Sequence, residues 1–457
     1  MRLDSKNIRY FYWISSAFFK KNFLALLLSS LATLIVIILI VTFSPFVLKI
    51  LTTPTETIGI AGEYTTSNLP DEISQKLSNG LIHIDENGNV IPVLAEDWEV
   101  SNDGREFKFK IKNNLSWNDD ALFTAKQINY KFKDVTIETP NDTTITFKLK
   151  SPLAIFPQFL IRPIIKEPMI GVAGLYSVDR TKISQGRLVS LSLSPNKAGH
   201  PLLVYKFYDT EDKLIEAYKL GEIKSFKTER REVALQFEDF NNTFVQKSID
   251  YSKVIAIFFN FNFPLFKEEK DLRHAIAEAI DKSKFQELGE IALGPVPPVS
   301  WAYDEAVLRA YPYNPNVAGK IIKKYQDEAS ISAQIKLTTY YEHLNVADDI
   351  KKTLTDAGLP ITVEVVSGGM PKDFQLFLAK MNLGSDPDQY FFWHSTQQDN
   401  NITTYRNVRV DKLLEDGRTT FGITKRKPIY SDFQRILVED MPAHFLYHPH
   451  QYIIRRR

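Results

Sequence analysis

The chain of 457 residues contains no cysteine. This absence excludes disulfide bonds, thiolate metal sites, cysteine nucleophiles and a lipid anchor attached to cysteine. Catalytic signatures are missing too, because the sequence has no G-x-S-x-G elbow, no H-E-x-x-H pair and no glycine-rich phosphate loop. We therefore expect a binding protein rather than an enzyme, with no cofactor.

Charge is absent from residues 23–48, a continuous run of apolar and hydroxyl side chains. At about 1.5 Å per residue, roughly 20 such residues cross a bilayer. Only Lys49 follows the run closely, whereas five basic residues precede it: Arg2, Lys6, Arg9, Lys20 and Lys21. The positive-inside bias predicts a single-pass anchor in the cell membrane, with residues 1–22 in the cytoplasm and the rest outside. A cleaved signal peptide is the alternative, although the run is long for one.

A basic surface is also lacking outside the N-terminal segment. The first 49 residues carry six basic side chains and one acidic side chain, whereas the whole chain has a net charge of +1. The remainder is therefore about four charges negative, which argues against binding nucleic acid. We expect this outer part to be soluble and monomeric.

Two turn signals predict hairpins near the start of the outer part. Asp103-Gly104 lies between alternating apolar runs, and Asp-Gly accepts the positive φ angles of a tight two-residue turn. Asn87-Gly88 marks a second hairpin. Its neighbours Asp85 and Asn89 suggest a calcium-binding loop. The sixth position of such a loop needs glycine for a sharp turn, and this position is Val90 here, so a hairpin is favoured.

Periodicity predicts several further elements. Thr124 can cap a helix that carries Ile128 and Phe132 at helical spacing, and residues 143–150 alternate as a half-buried strand does. A later helix stacks four apolar side chains on one face and leaves Arg273 and Glu278 outward; the four are Leu272, Ile276, Ala279 and Ile280. Helices followed by strands indicate an α/β fold.

The residues around the first hairpin carry a longer pattern. It reads Pro92-Val93-Leu94-Ala95-Glu96-Asp97-Trp98-Glu99-Val100 before the turn and Trp117-Asn118-Asp119-Asp120-Ala121-Leu122-Phe123-Thr124-Ala125 after it. This pattern resembles the signature of the extracellular solute-binding proteins of family 5, the peptide- and nickel-binding receptors of ABC importers. The resemblance continues at residues 170–176, 204–222, 258–281 and 311–318, and it spans nearly all of the outer part.

The resemblance implies a two-lobed α/β periplasmic-binding-protein fold of type II, with hinge strands between the lobes and an N-terminal transmembrane helix in front. We place a linker at residues 49–57, lobe I at 58–259, lobe II at 260–447 and a return strand with the tail at 448–457. The two crossings between the lobes are expected near Phe259 and near His448.

The same resemblance suggests where a ligand binds. In the family, a carboxylate pairs with the α-ammonium of the peptide, and Asp386 and Asp388 match two acids of that motif. The first acid of the motif falls on Leu383. A turn role for Asp386-Pro387 is the alternative. The other candidate ligand contacts are Tyr64 and Thr65 after the first strand, Phe259 and Asn260 at the hinge, and Trp393 as a cleft wall.

Three histidines, His444, His448 and His450, are separated by even numbers of residues on a predicted strand. Their side chains are therefore expected on the same face of the strand. A nickel or zinc site is conceivable there, but Pro449 interrupts the strand, and we predict no metal site.

The sequence thus predicts a membrane-anchored receptor that captures short peptides between two lobes and passes them to ABC permease subunits. The rival hypothesis is a sensing or interaction protein of the same fold with a degraded cleft. Leu383 in place of the acid favours the rival, whereas the hinge and Phe123-Thr124-Ala125 motifs favour the receptor.

Overall fold

The computed structural model describes residues 5–52, 54–85, 87–327, 334–371 and 373–457. The first described residues form two helices, α1 (Ser5–Lys21) and α2 (Phe23–Thr52). The span Phe23–Thr42 is long and apolar enough to cross a membrane, and none of it is buried. Helix α2 continues through Thr52 because apolar residues extend to Leu51, so the linker expected over residues 49–57 is shorter than predicted.

The first lobe follows α2. Its helices are α3 (Asp71–Leu77), α4 (Glu211–Leu220) and α5 (Arg231–Glu238). Its strands are β1 (Thr55–Ala61), β2 (Ile82–Ile84), β3 (Val90–Pro92), β4 (Ala95–Val100), β5 (Glu106–Ile111), β6 (Val135–Asn141), β7 (Thr144–Leu149), β8 (Ile165–Lys166), β9 (Ile170–Gly171), β10 (Tyr176–Ser184), β11 (Arg187–Pro195), β12 (Leu202–Tyr208), β13 (Ser225–Thr228) and β14 (Thr243–Ile249).

Within the described residues, the second lobe has five strands of its own and shares a sixth with the first lobe. Its strands are β15 (Lys253–Phe259), β16 (Gly289–Ile291), β17 (Ile335–Tyr340), β18 (Ile361–Val366), β19 (Leu376–Asn382) and the shared β20 (Ala443–Arg456). Its helices are α6 (Pro264–Glu268), α7 (Lys270–Ala279), α8 (Pro315–Asp327), α9 (Leu344–Asp356), α10 (Tyr390–Trp393), α11 (Val408–Thr419) and α12 (Ile423–Asp440).

One twelve-stranded sheet runs through both lobes in the order β10-β11-β12-β1-β13-β20-β15-β19-β17-β18, and β14 and β16 also pair with β20. A separate four-stranded sheet, β4-β5-β7-β6, forms a subdomain of the first lobe. The buried clusters of the second lobe contain only residues from 254 to 447. The fold is therefore two α/β lobes with hinge strands, as the resemblance implied.

Strand β20 joins the lobes because it changes partners along its length. Up to Pro449 it pairs with β15 and β16, and from His450 onward it pairs with β13 and β14. This change lies where the second crossing was expected. The first crossing is the turn at residues 250–252 between β14 and β15. The sequence analysis placed this crossing near Phe259, at the other end of β15.

Phe259 is not at the crossing because β15 belongs to the core of the second lobe on both faces. Ile255, Ile257 and Phe259 point into one buried cluster, whereas Val254 and Phe258 point into the other. A strand covered on both faces has a continuous apolar sequence. That run resembles a hinge motif in sequence but is a central strand in the structure.

Both predicted hairpins form, with one difference in the turn. Strands β4 and β5 pair with Val100 opposite Phe107. Gly104 has a φ of +68°, and its amide donates to the carbonyl of Ser101 at 2.9 Å. The turn is therefore a four-residue turn closed by glycine, not the two-residue turn predicted. Strands β2 and β3 flank Gly88 as expected.

Two helix predictions need correction. After Thr124 only one turn of 3-10 helix forms, over Ala125–Gln127, because the chain bends toward strand β6 instead of continuing. On α7 the apolar stripe is buried as predicted, but Arg273 is only 3 % exposed. Its guanidinium donates to the carbonyl of Asp440 at 2.7 Å and lies 4.7 Å from the ring of Phe261, so it caps a neighbouring helix instead of facing solvent.

Candidate functional site

Two cavities lie where the lobes and the hinge turn meet. The first, which we call the neutral cavity, has a volume of about 760 Å³. It is lined by the β2–β3 turn of the first lobe, the hinge residues Tyr251 and Ser252, and two loops of the second lobe. The loop residues are Pro297, Val299, Ser300, Trp301, Leu383, Gly384 and Ser385.

Among the described residues that line the neutral cavity, Asp85 is the acidic side chain. One of its oxygens accepts the backbone amides of Asn87 and Asn89 at 2.9 and 2.7 Å, and the other accepts the Asn89 side-chain amide at 2.9 Å. These bonds, led by the Asn89 side chain, hold the pKa of Asp85 below its usual value. The Asp85 carboxylate thus stabilises the turn between β2 and β3, in agreement with the hairpin interpretation.

The second cavity, the charged cavity, has a volume of about 640 Å³. Seven ionisable side chains line it: Glu211, Lys227, Glu229, Arg230, Lys253, Glu342 and Lys380. They pair largely with one another. Glu229 of the first lobe contacts Lys253 of β15 at 2.6 Å and Lys380 of β19 at 3.1 Å.

Glu229 therefore ties the two lobes together. Burial by itself would raise its pKa, but the hydrogen bonds and charges of Lys253 and Lys380 outweigh burial and lower the pKa of Glu229 below its usual value. The carboxylate is ionised at neutral pH. Because both lysines come from the second lobe, the ion pairs favour approach of the lobes.

Further contacts between the lobes lie on the subdomain side. Gly88 faces the indole of Trp301 so closely that a Cβ there would lie 2.5 Å from the ring. A Cβ on Gly104 would lie 2.9 Å from Phe421. The amide of Ala154 donates to the carbonyl of Arg418 at 2.6 Å. The lobes are therefore in contact around the neutral cavity.

The two predicted ammonium-binding acids bind arginines of their own lobe. Asp386 accepts two hydrogen bonds from Arg426, both at 2.7 Å, and also one from the side chain of Gln158 in the first lobe. Asp388 forms an ion pair with Arg418 at 3.1 Å, and burial raises the pKa of Asp388.

This arrangement supports the turn alternative for Asp386. Its oxygen accepts the amide of Asp388 at 2.9 Å, as an Asp-Pro turn requires. The Asp386 side chain is 6 % exposed, and its partner guanidinium lies 5.1 Å from the ring of Trp301. Asp386 thus holds Arg426, which in turn packs against Trp301 in the wall of the neutral cavity.

The other predicted contacts are scattered. Tyr64 packs 5.5 Å from Phe207 in the core of the first lobe, and Thr65 is exposed beyond the end of β1. Phe259 is fully buried. Asn260 is also buried, and its side chain donates to the carbonyl of Phe374 at 2.7 Å. The structure does not bring these residues together with the two acids.

Trp393 comes nearest to its predicted role. It lines a cavity of about 200 Å³ in the second lobe, together with Tyr340, Lys380 and Phe392. The indole is nevertheless 1 % exposed, and its N–H donates to Gln389 at 2.8 Å. Most of its surface is packed in the core.

All three histidines of β20 are buried. His448 bonds the carbonyl of Lys253 at 2.7 Å and His450 bonds that of Glu287 at 3.2 Å, whereas His444 lies opposite Ile257 of β15 in the second lobe. Burial lowers the pKa of all three imidazoles. In the part of the chain that the structure describes, no group of histidines and acids could hold a metal ion.

The model of the bacterial extracellular solute-binding proteins of family 5 matches residues 89–402, more than half of the chain. The chain belongs to this family. The oligopeptide-binding protein AppA of Bacillus subtilis is 25 % identical over 85 % of this chain and 84 % of its own length.

Solved structures show the same fold. AppA of Bacillus subtilis in complex with a nonapeptide superposes with a TM-score of 0.68, at 21 % identity, over 88 % of this chain and 94 % of that chain. NikZ of Campylobacter jejuni in complex with Ni(L-His) gives 0.71, at 19 % identity, with the same coverage. This family-5 chain thus has the two-lobed fold of peptide- and nickel-binding relatives.

The sequence interpretation found Leu383, which lines the neutral cavity, but missed most of the other residues that line the cavities. Trp301, Glu229 and Lys380 lie far apart in sequence and carry no motif of their own. Pro297-Pro298 before Trp301 was the one local signal, since a rigid turn places the next residues in a fixed position.

Proposed function

We propose that this family-5 protein captures short peptides between its two lobes outside the cell and delivers them to an ABC permease. The observation that carries the proposal is the neutral cavity of about 760 Å³ at the hinge. Ligand sites usually occupy about 300–1,000 Å³ and lie between domains. A ligand that touches both lobes stabilises their closed arrangement over the open one.

The resemblance to AppA, whose structure holds a nonapeptide, supports a peptide as the ligand. The main chain of an extended peptide can be satisfied by backbone groups, much as an added strand is. Gly384 lies in the wall of the neutral cavity, and we propose that its backbone makes such a contact with the peptide. We propose no catalytic role and no cofactor.

Helix α2 supports an anchor in the cell membrane. Its span Phe23–Thr42 fits a bilayer by length and composition, and the basic residues before it favour a cytoplasmic N-terminus. On this proposal the protein remains uncleaved, acts as a monomer and carries its lobes outside the membrane, next to the permease.

The test is ligand binding by the full-length protein purified gently in detergent. Native mass spectrometry should detect copurified peptides, and a library of two- to nine-residue peptides should raise the melting temperature. At a hundredfold excess over the dissociation constant, binding contributes about 2.7 kcal/mol. Free amino acids serve as the control. If no peptide copurifies and none shifts the melting temperature, the interaction-protein hypothesis replaces this one.

A further inference from the structure

The described residues that line the neutral cavity include no lysine or arginine. The charged side chain among these described residues is Asp85, and both of its oxygens already accept hydrogen bonds from its own turn. An ion that leaves water without a partner loses several kcal/mol of solvation. An acidic ligand side chain would therefore enter this cavity without a compensating charge.

The same wall exposes apolar surface. Val299 is 61 % exposed although it lies between two lobes, and Trp301, Ile84 and Leu383 line the cavity with it. Apolar surface of this kind gains about 25 cal/mol for each Å² that a ligand removes from water. The cavity thus favours an apolar group by burial, and its described lining offers no cation to an acidic group.

Trp301 contributes to both the wall and the contact between the lobes. Gly88 of the first lobe lies against one part of the indole, and Arg426 lies 5.1 Å from the ring. Arg426 is itself neutralised by Asp386, with both side chains less than a tenth exposed. The guanidinium charge is therefore compensated by Asp386 and is poorly placed to pair with a ligand.

The charged cavity contrasts with this arrangement. Its carboxylates and lysines pair with one another, as in the contacts of Glu229 with Lys253 and Lys380. The two cavities at the hinge are therefore chemically distinct, and the neutral one is suited to an uncharged group.

From these observations we infer that the neutral cavity receives an uncharged, mainly apolar side chain of the peptide and discriminates against acidic side chains. The inference rests on the proposed function. It names Val299 and Trp301 as specificity-determining residues, and it assigns the ligand class as peptides with an aliphatic or aromatic residue at the position that enters the cavity.

The test measures binding of pentapeptides Ala-Ala-X-Ala-Ala to the full-length protein by calorimetry, with X as Leu, Gln, Glu or Lys. Gln and Glu have the same shape and differ in charge. We expect the Leu peptide to bind at least tenfold more tightly than the Glu peptide, which corresponds to 1.4 kcal/mol. The Gln peptide should bind with intermediate affinity.

A charge placed in the cavity should reverse this preference. Val299→Lys supplies a cation at an exposed position, so it should strengthen binding of the Glu peptide and weaken binding of the Lys peptide. Val365→Lys is the matched control, because Val365 is exposed on strand β18 outside the lining of the neutral cavity. This variant should leave the order of affinities unchanged.

The outcomes separate the inference from the proposed function. Equal affinity for the Gln and Glu peptides, with no response to Val299→Lys, overturns the inference and leaves peptide capture intact. Absence of binding by all four peptides to the parent protein and both variants overturns the proposed function together with the inference.

Discussion

Replacement of Asp386 by asparagine tests whether this acid is structural or binds the ligand. Its side chain and that of Arg426 are 6 % and 8 % exposed, and two hydrogen bonds of 2.7 Å join them. Asp386→Asn keeps the shape and one acceptor but leaves the guanidinium without its counter-charge. Breaking a buried ion pair from one side costs about 3–5 kcal/mol.

The expected loss of stability is about 3 kcal/mol, the lower end of that range, because asparagine retains one hydrogen bond. Urea unfolding of the full-length protein in detergent measures it as a lower midpoint at an unchanged slope. Asp416→Asn is the control, since Asp416 pairs with Lys412 on the exposed face of α11. That variant should unfold at the parent midpoint within error.

A double-mutant cycle makes the assignment specific. Arg426→Gln should be destabilising alone, and the double variant should lose much less than the sum of the single variants, because residues in one ion pair couple. Peptide affinity should change little in Asp386→Asn. Loss of peptide binding with parent-like stability would refute this reasoning and return Asp386 to the role of ammonium partner.

Four further outcomes are expected. The full-length protein should resist carbonate extraction from membranes because of the span Phe23–Thr42; release into the soluble fraction would contradict the anchor. Trp393→Ala should cost about 3–5 kcal/mol in urea unfolding, whereas the exposed Tyr341→Ala should not. Gly104→Ala should cost about 1 kcal/mol or more because of its positive φ, and an unchanged midpoint would count against the turn geometry. Burial lowers the pKa of His444, so the unfolded chain binds more protons than the folded one below about pH 6.5, and stability should fall there as the pH decreases. This residue contributes up to about 1.4 kcal/mol per pH unit, and His444→Leu should reduce the dependence, whereas His448 and His450 retain their own contributions.

Local chemistry explains which parts of the fold were predictable. The hairpins at Gly88 and Gly104 depend on residues within a few positions of the turn, so the sequence predicts them. The strand at residues 144–149 and the apolar stripe of α7 follow from periodicity in the same way. The prediction of a helix after Thr124 was wrong. The spacing of Ile128 and Phe132 also suits an irregular segment whose side chains pack on the subdomain sheet.

The candidate site depended on contacts that no local pattern contains. Asp386 and Asp388 stand in a segment that resembles a ligand-binding motif, yet Arg426 and Arg418 occupy their carboxylates from another part of the chain. Phe259 matched a hinge motif although both faces of its strand are buried. In each case the partner that decides the role lies far away in sequence.

The sequence alone determined the apolar N-terminal helix, the α/β character, the hairpins and the resemblance to family 5, because composition, period and turn residues act over short distances. Only the tertiary structure decided where the chain crosses between lobes, that Arg273 is buried, and which side chains surround the cavities. Those outcomes depend on which distant groups neutralise each charge and cover each apolar face, and such pairings arise only when the two lobes pack together.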